Sequence, residues 1–193
     1  MEPQAPYRNK LVDAGCIIIF MLAIWLNKPA AATKPLWIAD TDPGLSETHG
    51  VLYYKKIPFS GYVFARYPNG VLAKQAPYTD GRQNGLMKSW YPNNKLQQER
   101  FFESGQKQGL HKGWWPNGKH AYEYNFKDDE YNGSVKEWAE DGKPYRAFHY
   151  KMGHEDGLQQ MWWPDGSVRA NYVVKDGQQY GLIGRKLCRN TTK

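Results

Sequence analysis

Apolar and polar positions recur in one order from residue 61 to residue 180. An aromatic pair is followed by a turn such as Pro68-Asn69-Gly70, and a second run then ends in an aromatic or β-branched residue before another turn such as Asp80-Gly81. Asn-Gly and Asp-Gly favour tight hairpins, because these residues tolerate positive φ. Each unit therefore predicts strand, tight turn, strand and turn, and the units together predict an antiparallel meander.

All of these units have the same length. Five of them begin 24 residues apart, and a sixth start follows at the same interval: Gly61, Gly85, Gly109, Gly133, Gly157 and Gly181. Self-similarity at a fixed period is typical of repeat architectures, whose ends are closed by caps. We predict an all-β, single-sheet array of β-hairpins, with a half-repeat cap over 50–60, five repeats over 61–180, and a cap strand and tail over 181–193.

Two neighbouring positions of the unit are mostly aromatic. In a strand, adjacent side chains point to opposite faces, so we expect at least one of these columns to pack as core. Both columns being structural, or one forming a ligand-facing strip, are the two alternatives. In the fourth unit, Ala139-Glu140 replaces the aromatic residue and proline of the others. The candidate binding-face aromatics are Trp90, Trp114, Trp138 and Trp162 in the first column, and Tyr67, Tyr91, Trp115 and Trp163 in the second.

The N-terminal region resembles a targeting segment. Residues 14–26 form an uninterrupted run of 13 apolar residues, whereas about 20 are needed to span a bilayer. This is the length of a signal-peptide core, and Ala30-Ala31-Ala32 supplies an A-x-A-like cleavage site. The pattern predicts a signal peptide over 1–32, a linker over 33–49, and a protein exported to the periplasm or beyond. An uncleaved inner-membrane anchor is the alternative.

Composition and charge limit the kind of partner. Aromatic residues make up 15% of the chain, which argues against disorder. The formal net charge of +7 favours acidic partners, although the cations are spread along the repeats, as plain solubility would also require. Because the charge is not focused and the chain carries an export signal, we expect a protein partner or a membrane surface rather than nucleic acid.

Catalytic motifs are absent from the sequence. There is no HExxH, GxSxG, phosphate-binding loop or CxxC, and the five histidines occupy different positions in different repeats. We therefore predict no enzymatic activity, no cofactor and no small-molecule substrate. One alternative is a copper site, because thioether, thiolate and imidazole are ligands that suit copper(I). Its candidate ligands are Met152, His154, Met161 and Cys188.

The aromatic pair before Pro-Asn-Gly, together with the Gly-Leu start of several units, resembles the MORN repeat. It looks closest to the bacterial MORN-variant repeats that are often labelled YwqK-type antitoxin components of toxin–antitoxin systems. The resemblance covers roughly residues 52–181. It implies a β-hairpin array with an interaction or scaffolding role, sometimes with lipid binding, and it implies no catalytic residues. An antitoxin role is the alternative function that it adds.

Overall fold

The computed structural model describes residues 34–183. The predicted signal segment and Cys188 therefore lie outside the described residues. Within them, every regular element is a β-strand. No helix of this part of the chain is long and apolar enough to cross a membrane.

Most strands of the array have six or eight residues, and short two-residue strands follow several of the turns. In chain order they are β1 (Trp37–Ala39), β2 (Leu45–Thr48), β3 (Val51–Tyr54), β4 (Ile57–Pro58), β5 (Gly61–Arg66), β6 (Leu72–Thr79), β7 (Arg82–Gln83), β8 (Gly85–Trp90), β9 (Leu96–Glu103), β10 (Gln106–Lys107), β11 (Gly109–Trp114), β12 (His120–Lys127), β13 (Glu130–Trp138), β14 (Pro144–Lys151), β15 (His154–Glu155), β16 (Gly157–Trp162), β17 (Val168–Lys175) and β18 (Gln178–Leu182).

Fifteen strands form one main sheet with the order β1-β5-β6-β8-β9-β11-β12-β13-β14-β16-β17-β18, to which the short strands β7, β10 and β15 add at its margin. All of its strand pairs are antiparallel except β1 with β5, which is parallel. The prediction of an all-β, mostly antiparallel hairpin array is confirmed. A second sheet of three strands, β2-β3-β4, was not predicted.

Two kinds of turn alternate along the array. Asp80 and Gly81 both have positive φ, as the type I′ hairpin turn requires. In the other turn only the last residue, Gly70 in the first repeat, has positive φ. There Asn69 instead accepts a hydrogen bond from the Val71 N–H through its side-chain oxygen, at 3.1 Å. Asn and Asp are favoured at this position because their side chains bond the backbone two residues on, and not because they adopt positive φ.

The cap begins earlier in the chain than the sequence predicts. Strands β1 and β2 both lie in the range 33–49, which the sequence assigns to a linker. Trp37 stacks on Tyr62 with 4.4 Å between ring centroids, and Ile38 packs in a buried cluster with Phe59 and Val63. A strand of three residues outside the 24-residue period carries no repeat signal, so the periodic pattern could not reveal it.

The two faces of the main sheet differ in burial. On one face, here named the packed face, the middle of every hairpin is buried, for example Met87, Val135 and Tyr172. Aromatic contacts continue along this face from repeat to repeat, with ring centroids 4.6–6.3 Å apart: Phe102–His111, His111–Phe126, Phe126–Tyr131, Tyr131–Tyr150 and Phe148–Tyr172. The core is therefore a row of packed aromatic side chains, mostly in tilted or edge-to-face arrangements, that links successive repeats.

Candidate binding surface

The opposite side of the sheet, here named the open face, carries a ladder of alternating charge. Its residues lie opposite one another on neighbouring strands across three repeats, in the order Lys88, Glu99, Lys112, Glu123 and Lys136. Lys88 Nζ lies 2.7 Å from Glu99 Oε1, with both side chains about one-third exposed or less. Opposite charges on neighbouring strands stabilise the pairing modestly and keep an uncovered sheet in solution.

A row of exposed apolar side chains lies next to this ladder on the open face. Leu86 is opposite Phe101, and Leu158 is opposite Val173. These four side chains and Leu110 are each 38–49% exposed. Leu86 and Leu110 stand two residues before Lys88 and Lys112 in their strands, which places them on the same face. Between Leu110 and Leu158 the row is interrupted by polar residues, since Ser134 lies opposite His149 in the fourth repeat. Exposed apolar side chains grouped on one face mark interaction sites.

The first aromatic column begins directly after a β-bulge. The strand register shifts at the same place in all five repeats, after Ala65, Ser89, Gly113, Glu137 and Met161. A bulge bends its strand and re-aims the side chains beside it. The four tryptophans of this column, Trp90, Trp114, Trp138 and Trp162, are all half-buried. His120 lies between Trp114 and Trp138, at 5.8 Å from each ring centroid.

The second aromatic column lies outside the strands, at the first residue of each turn. Tyr67 Oη donates to the Trp90 carbonyl at 2.9 Å, and Tyr91 Oη donates to the Trp114 carbonyl at 2.9 Å. Trp115 Nε1 makes the same contact with the Trp138 carbonyl, at 3.0 Å. Each ring therefore connects its own turn to the backbone of the next repeat, 23 residues later.

A second contact runs between consecutive turns. Asn69 Nδ2 donates to the Pro92 carbonyl at 3.0 Å, and Asn117 Nδ2 donates to the Glu140 carbonyl at 2.8 Å. In the fourth repeat this asparagine is replaced by Asp141, whose carboxylate has no proton to donate. There Lys143 Nζ donates to the Pro164 carbonyl instead, at 3.0 Å. The polar contact between turns is thus kept at this place, by a different side chain.

The aromatic contact is lost at Ala139. Its methyl group cannot reach across to the next repeat, and among the described residues no side chain donates to the Trp162 carbonyl. A cavity of about 70 Å³ is found there instead, with walls from both repeats: Ala139, Lys143 and Pro144 on one side, and Trp162, Trp163 and Pro164 on the other. A larger depression of about 400 Å³ lies on the other side of Ala139 and includes Trp115 and Trp138.

Two residues that line these cavities, Tyr145 and Trp163, are more exposed than the remaining aromatic residues of the two columns. Tyr145 lines both and is 41% exposed, whereas Trp163 lines the smaller one and is 44% exposed. The guanidinium of Arg169 stands over the Trp163 ring, 4.6 Å from its centroid. Of the eight candidate aromatics, Trp163 is the most accessible. Whether any of the eight contacts a partner stays a prediction.

On the packed face, Glu137 is held by two partners. It accepts a hydrogen bond from Tyr124 Oη at 2.6 Å and forms an ion pair with Arg146. Burial raises the pKa of Tyr124 strongly, and its hydrogen bond to Glu137 acts in the same direction. The phenol therefore stays protonated and serves as a hydrogen-bond donor to Glu137.

His111 is another buried polar residue of the packed face. Its Nε2 lies 2.8 Å from the Phe101 carbonyl. Two repeats later, Gln159 Nε2 donates to the His149 carbonyl at 2.8 Å, which is the same contact. Burial lowers the pKa of His111, and the charges of Arg100 and Lys107 act in the same direction. His111 is thus held as a neutral core residue.

Three of the four candidate copper ligands lie within the described residues. Met152 lies in a turn and is 46% exposed, His154 is exposed on β15, and Met161 is half-buried on β16. Cys188 falls outside the described residues. Between residues 34 and 183, no group of three or more His, Cys, Asp or Glu side chains is arranged to hold a metal ion. The copper site stays a prediction.

Comparison with known proteins agrees with the repeat pattern. The family described as MORN repeat variant matches residues 83–106 and 107–128, which are two consecutive units of the array. These matches support a MORN-repeat protein, and such repeats generally mediate interactions with proteins or membrane surfaces. Curated proteins show no match to the chain.

Proposed function

We propose that this chain is an exported, non-catalytic repeat module that binds a partner protein through the open face of its main sheet. The observation that carries the proposal is the row of exposed apolar side chains beside the charged ladder. A regular and partly apolar sheet face suits a partner surface, whereas a small molecule needs a concave site. The MORN repeat variant matches support an interaction role in general.

Export is the part of the proposal that the N-terminal sequence supports. The apolar run over residues 14–26 and the alanines that follow it have the order of a signal peptide. N-terminal sequencing of the protein from fractionated cells tests this step. We expect a mature chain that begins at Thr33 in the periplasm or outside the cell. Retention of residues 1–32 at the inner membrane would replace export by anchoring.

Binding through the open face is tested by affinity capture with a matched pair of variants. Leu110→Glu with Leu158→Glu places two charges within the apolar row. Pro68→Glu with Pro116→Glu adds the same charges at exposed turn positions outside the strands, where the fourth repeat carries Glu140. We expect one protein to be captured from the envelope fraction by the wild type and the second variant, and lost with the first. Equal capture by both variants would rule out the open face.

An envelope or membrane surface is the alternative partner, and the net charge of +7 is the observation that favours it. Sedimentation with anionic and with neutral vesicles separates it from a protein partner. Binding to anionic vesicles that both double variants retain would indicate a membrane surface. The antitoxin role and copper binding stay predictions from the sequence.

A further inference from the structure

We infer that the cavity beside Ala139 is a binding site for a tyrosine side chain, presented by an acidic segment of a partner polypeptide. The inference rests on the proposed function, because such a site is useful only to a module that recognises another chain. We call the contact between the Pro-Asn-Gly-type turn of one repeat and that of the next a junction, numbered by the first of the two repeats. The inference is based on the repeat, because an aromatic ring fills the same place in the other three junctions.

The filled junctions define what the cavity accepts. Tyr67, Tyr91 and Trp115 each place a planar ring between two turns and donate one hydrogen bond to a tryptophan carbonyl of the next repeat. At the fourth junction the corresponding acceptor is the Trp162 carbonyl, to which no side chain of the described residues donates a hydrogen bond. A ligand that reproduces both features is a ring with one donor at its far end, and two of the three internal examples are tyrosine.

The lining of the cavity agrees with this ligand, and its size admits part of the ring. Its volume of about 70 Å³ is well above the roughly 10–15 Å³ that one water requires and about half the roughly 150 Å³ of a cavity that holds benzene, so the rest of the ring stays at the open side of the cavity. Two tryptophans, Trp162 and Trp163, and two prolines, Pro144 and Pro164, are four of its eight lining residues. Aromatic and proline walls favour a flat apolar ring over a charged or aliphatic group.

The charges at the rim indicate the character of the surrounding segment. Lys143 lines the cavity, and Arg169 stands over one of its walls. Asp141 also lines the cavity, but Lys143 Nζ lies 3.5 Å from its carboxylate, and Lys119 Nζ donates to its backbone carbonyl at 2.6 Å. Asp165 in the next turn also interacts electrostatically with Lys143. Three cations, Lys119, Lys143 and Arg169, are thus found near the cavity with two carboxylates, on a chain of net charge +7. Acidic residues beside the tyrosine complement this rim.

The site is tested with the full chain and two capped pentapeptides, Glu-Glu-Tyr-Glu-Glu and Glu-Glu-Phe-Glu-Glu. Binding is followed by NMR, through the indole N–H resonances of Trp162 and Trp163. We expect the tyrosine peptide to bind about 10-fold more tightly, because the phenylalanine peptide leaves the Trp162 carbonyl without a donor. Equal affinity of the two peptides would overturn the inference.

Two variants locate the binding. Ala139→Tyr supplies the missing ring from within the chain, so we expect it to weaken the tyrosine peptide by about 10-fold or more. Glu140→Tyr adds the same ring one residue away, outside the cavity, and is expected to bind the peptide as the wild type does. Unchanged affinity in Ala139→Tyr would overturn the inference, as would an equal loss in both variants.

The proposed function is separated from this inference by partner capture. Suppose that Ala139→Tyr captures the envelope partner as the wild type does, while the peptides fail to discriminate. The tyrosine site then falls, and binding through the open face stands. Loss of capture in Ala139→Tyr with retention in Glu140→Tyr supports the site and shows that the partner uses it.

Discussion

The third and fourth junctions of the array have the same turn hydrogen bonds, and their main difference is one aromatic side chain. At the third, Trp115 reaches from its turn to the Trp138 carbonyl. At the fourth, Ala139 leaves a cavity and an acceptor without a side-chain donor. The turn around Ala139 is nevertheless intact, with Ala139 N–H donating to the Lys143 carbonyl at 2.9 Å and Gly142 N–H donating to the Ala139 carbonyl at 2.8 Å. The ring is therefore not needed to form the turn, and its role is to join one repeat to the next.

The largest expected effect comes from emptying a filled junction. Tyr91→Ala removes a half-buried ring and its hydrogen bond, and we expect it to lower the free energy of unfolding by about 3 kcal/mol. Tyr91→Phe keeps the ring and is expected to cost about 1 kcal/mol, because the Trp114 carbonyl loses a donor. Urea unfolding followed by tryptophan fluorescence measures both. A loss below about 0.5 kcal/mol for Tyr91→Ala would mean that the ring does not join the repeats.

Filling the empty junction is the reverse experiment, with a smaller expected effect. Ala139→Tyr buries a ring in an existing cavity and supplies a donor to the Trp162 carbonyl. We expect a gain of about 1 kcal/mol in the free energy of unfolding, or roughly 2–4 °C in Tm for a chain of this size. Glu140→Tyr is the control and is expected to change Tm little. A destabilised Ala139→Tyr would show that the cavity does not have the shape of the filled junctions.

This comparison also shows what the sequence could reveal. The 24-residue period predicts the hairpins, because each repeat places turn residues and aromatics at the same positions. The departure at Ala139 is visible in the sequence as a missing aromatic. Its consequence is not, because the ring's partner is a backbone carbonyl 23 residues away, and a carbonyl leaves no mark in the sequence.

The second aromatic column was also placed differently by sequence reasoning. Alternation of side chains along a strand predicts two columns on opposite faces. The bulge before each tryptophan and the end of the strand at that residue break the alternation, so Tyr67 and Tyr91 belong to the turns. Strand β1 was missed for a different reason, because the contacts of Trp37 and Ile38 are tertiary and have no counterpart in the repeats.

A second pair of equivalent positions, His111 and Gln159 on the packed face, predicts a pH effect. Burial lowers the pKa of His111 below its ordinary value of 6.5, so the unfolded chain takes up the proton more readily than the folded one. Stability from this residue is therefore complete above pH 6.5 and is lost as the pH falls below it. His111→Gln copies the contact that Gln159 makes and does not titrate.

We expect His111→Gln to be close to the wild type at pH 8 and to lose less stability between pH 7 and pH 5. Urea unfolding at several pH values gives the difference in the free energy of unfolding between wild type and variant. The effect of the carboxylates is common to both proteins and cancels in this difference. Parallel pH profiles would show that His111 is not the acid-sensitive group of the core.

The smallest expected effect concerns the polar contacts between turns. Asn117→Ala removes a donor to the Glu140 carbonyl at a filled junction, and Lys143→Met removes the donor to the Pro164 carbonyl at the empty one. Both donors are exposed, so we expect each change to cost about 0.5 kcal/mol. If the empty junction depends on its remaining polar contact, Lys143→Met will lower the free energy of unfolding more than Asn117→Ala does. This extra loss will disappear when Lys143→Met is combined with Ala139→Tyr. An equal cost in both backgrounds would mean that ring and polar contact act independently, as sites that do not share a partner do.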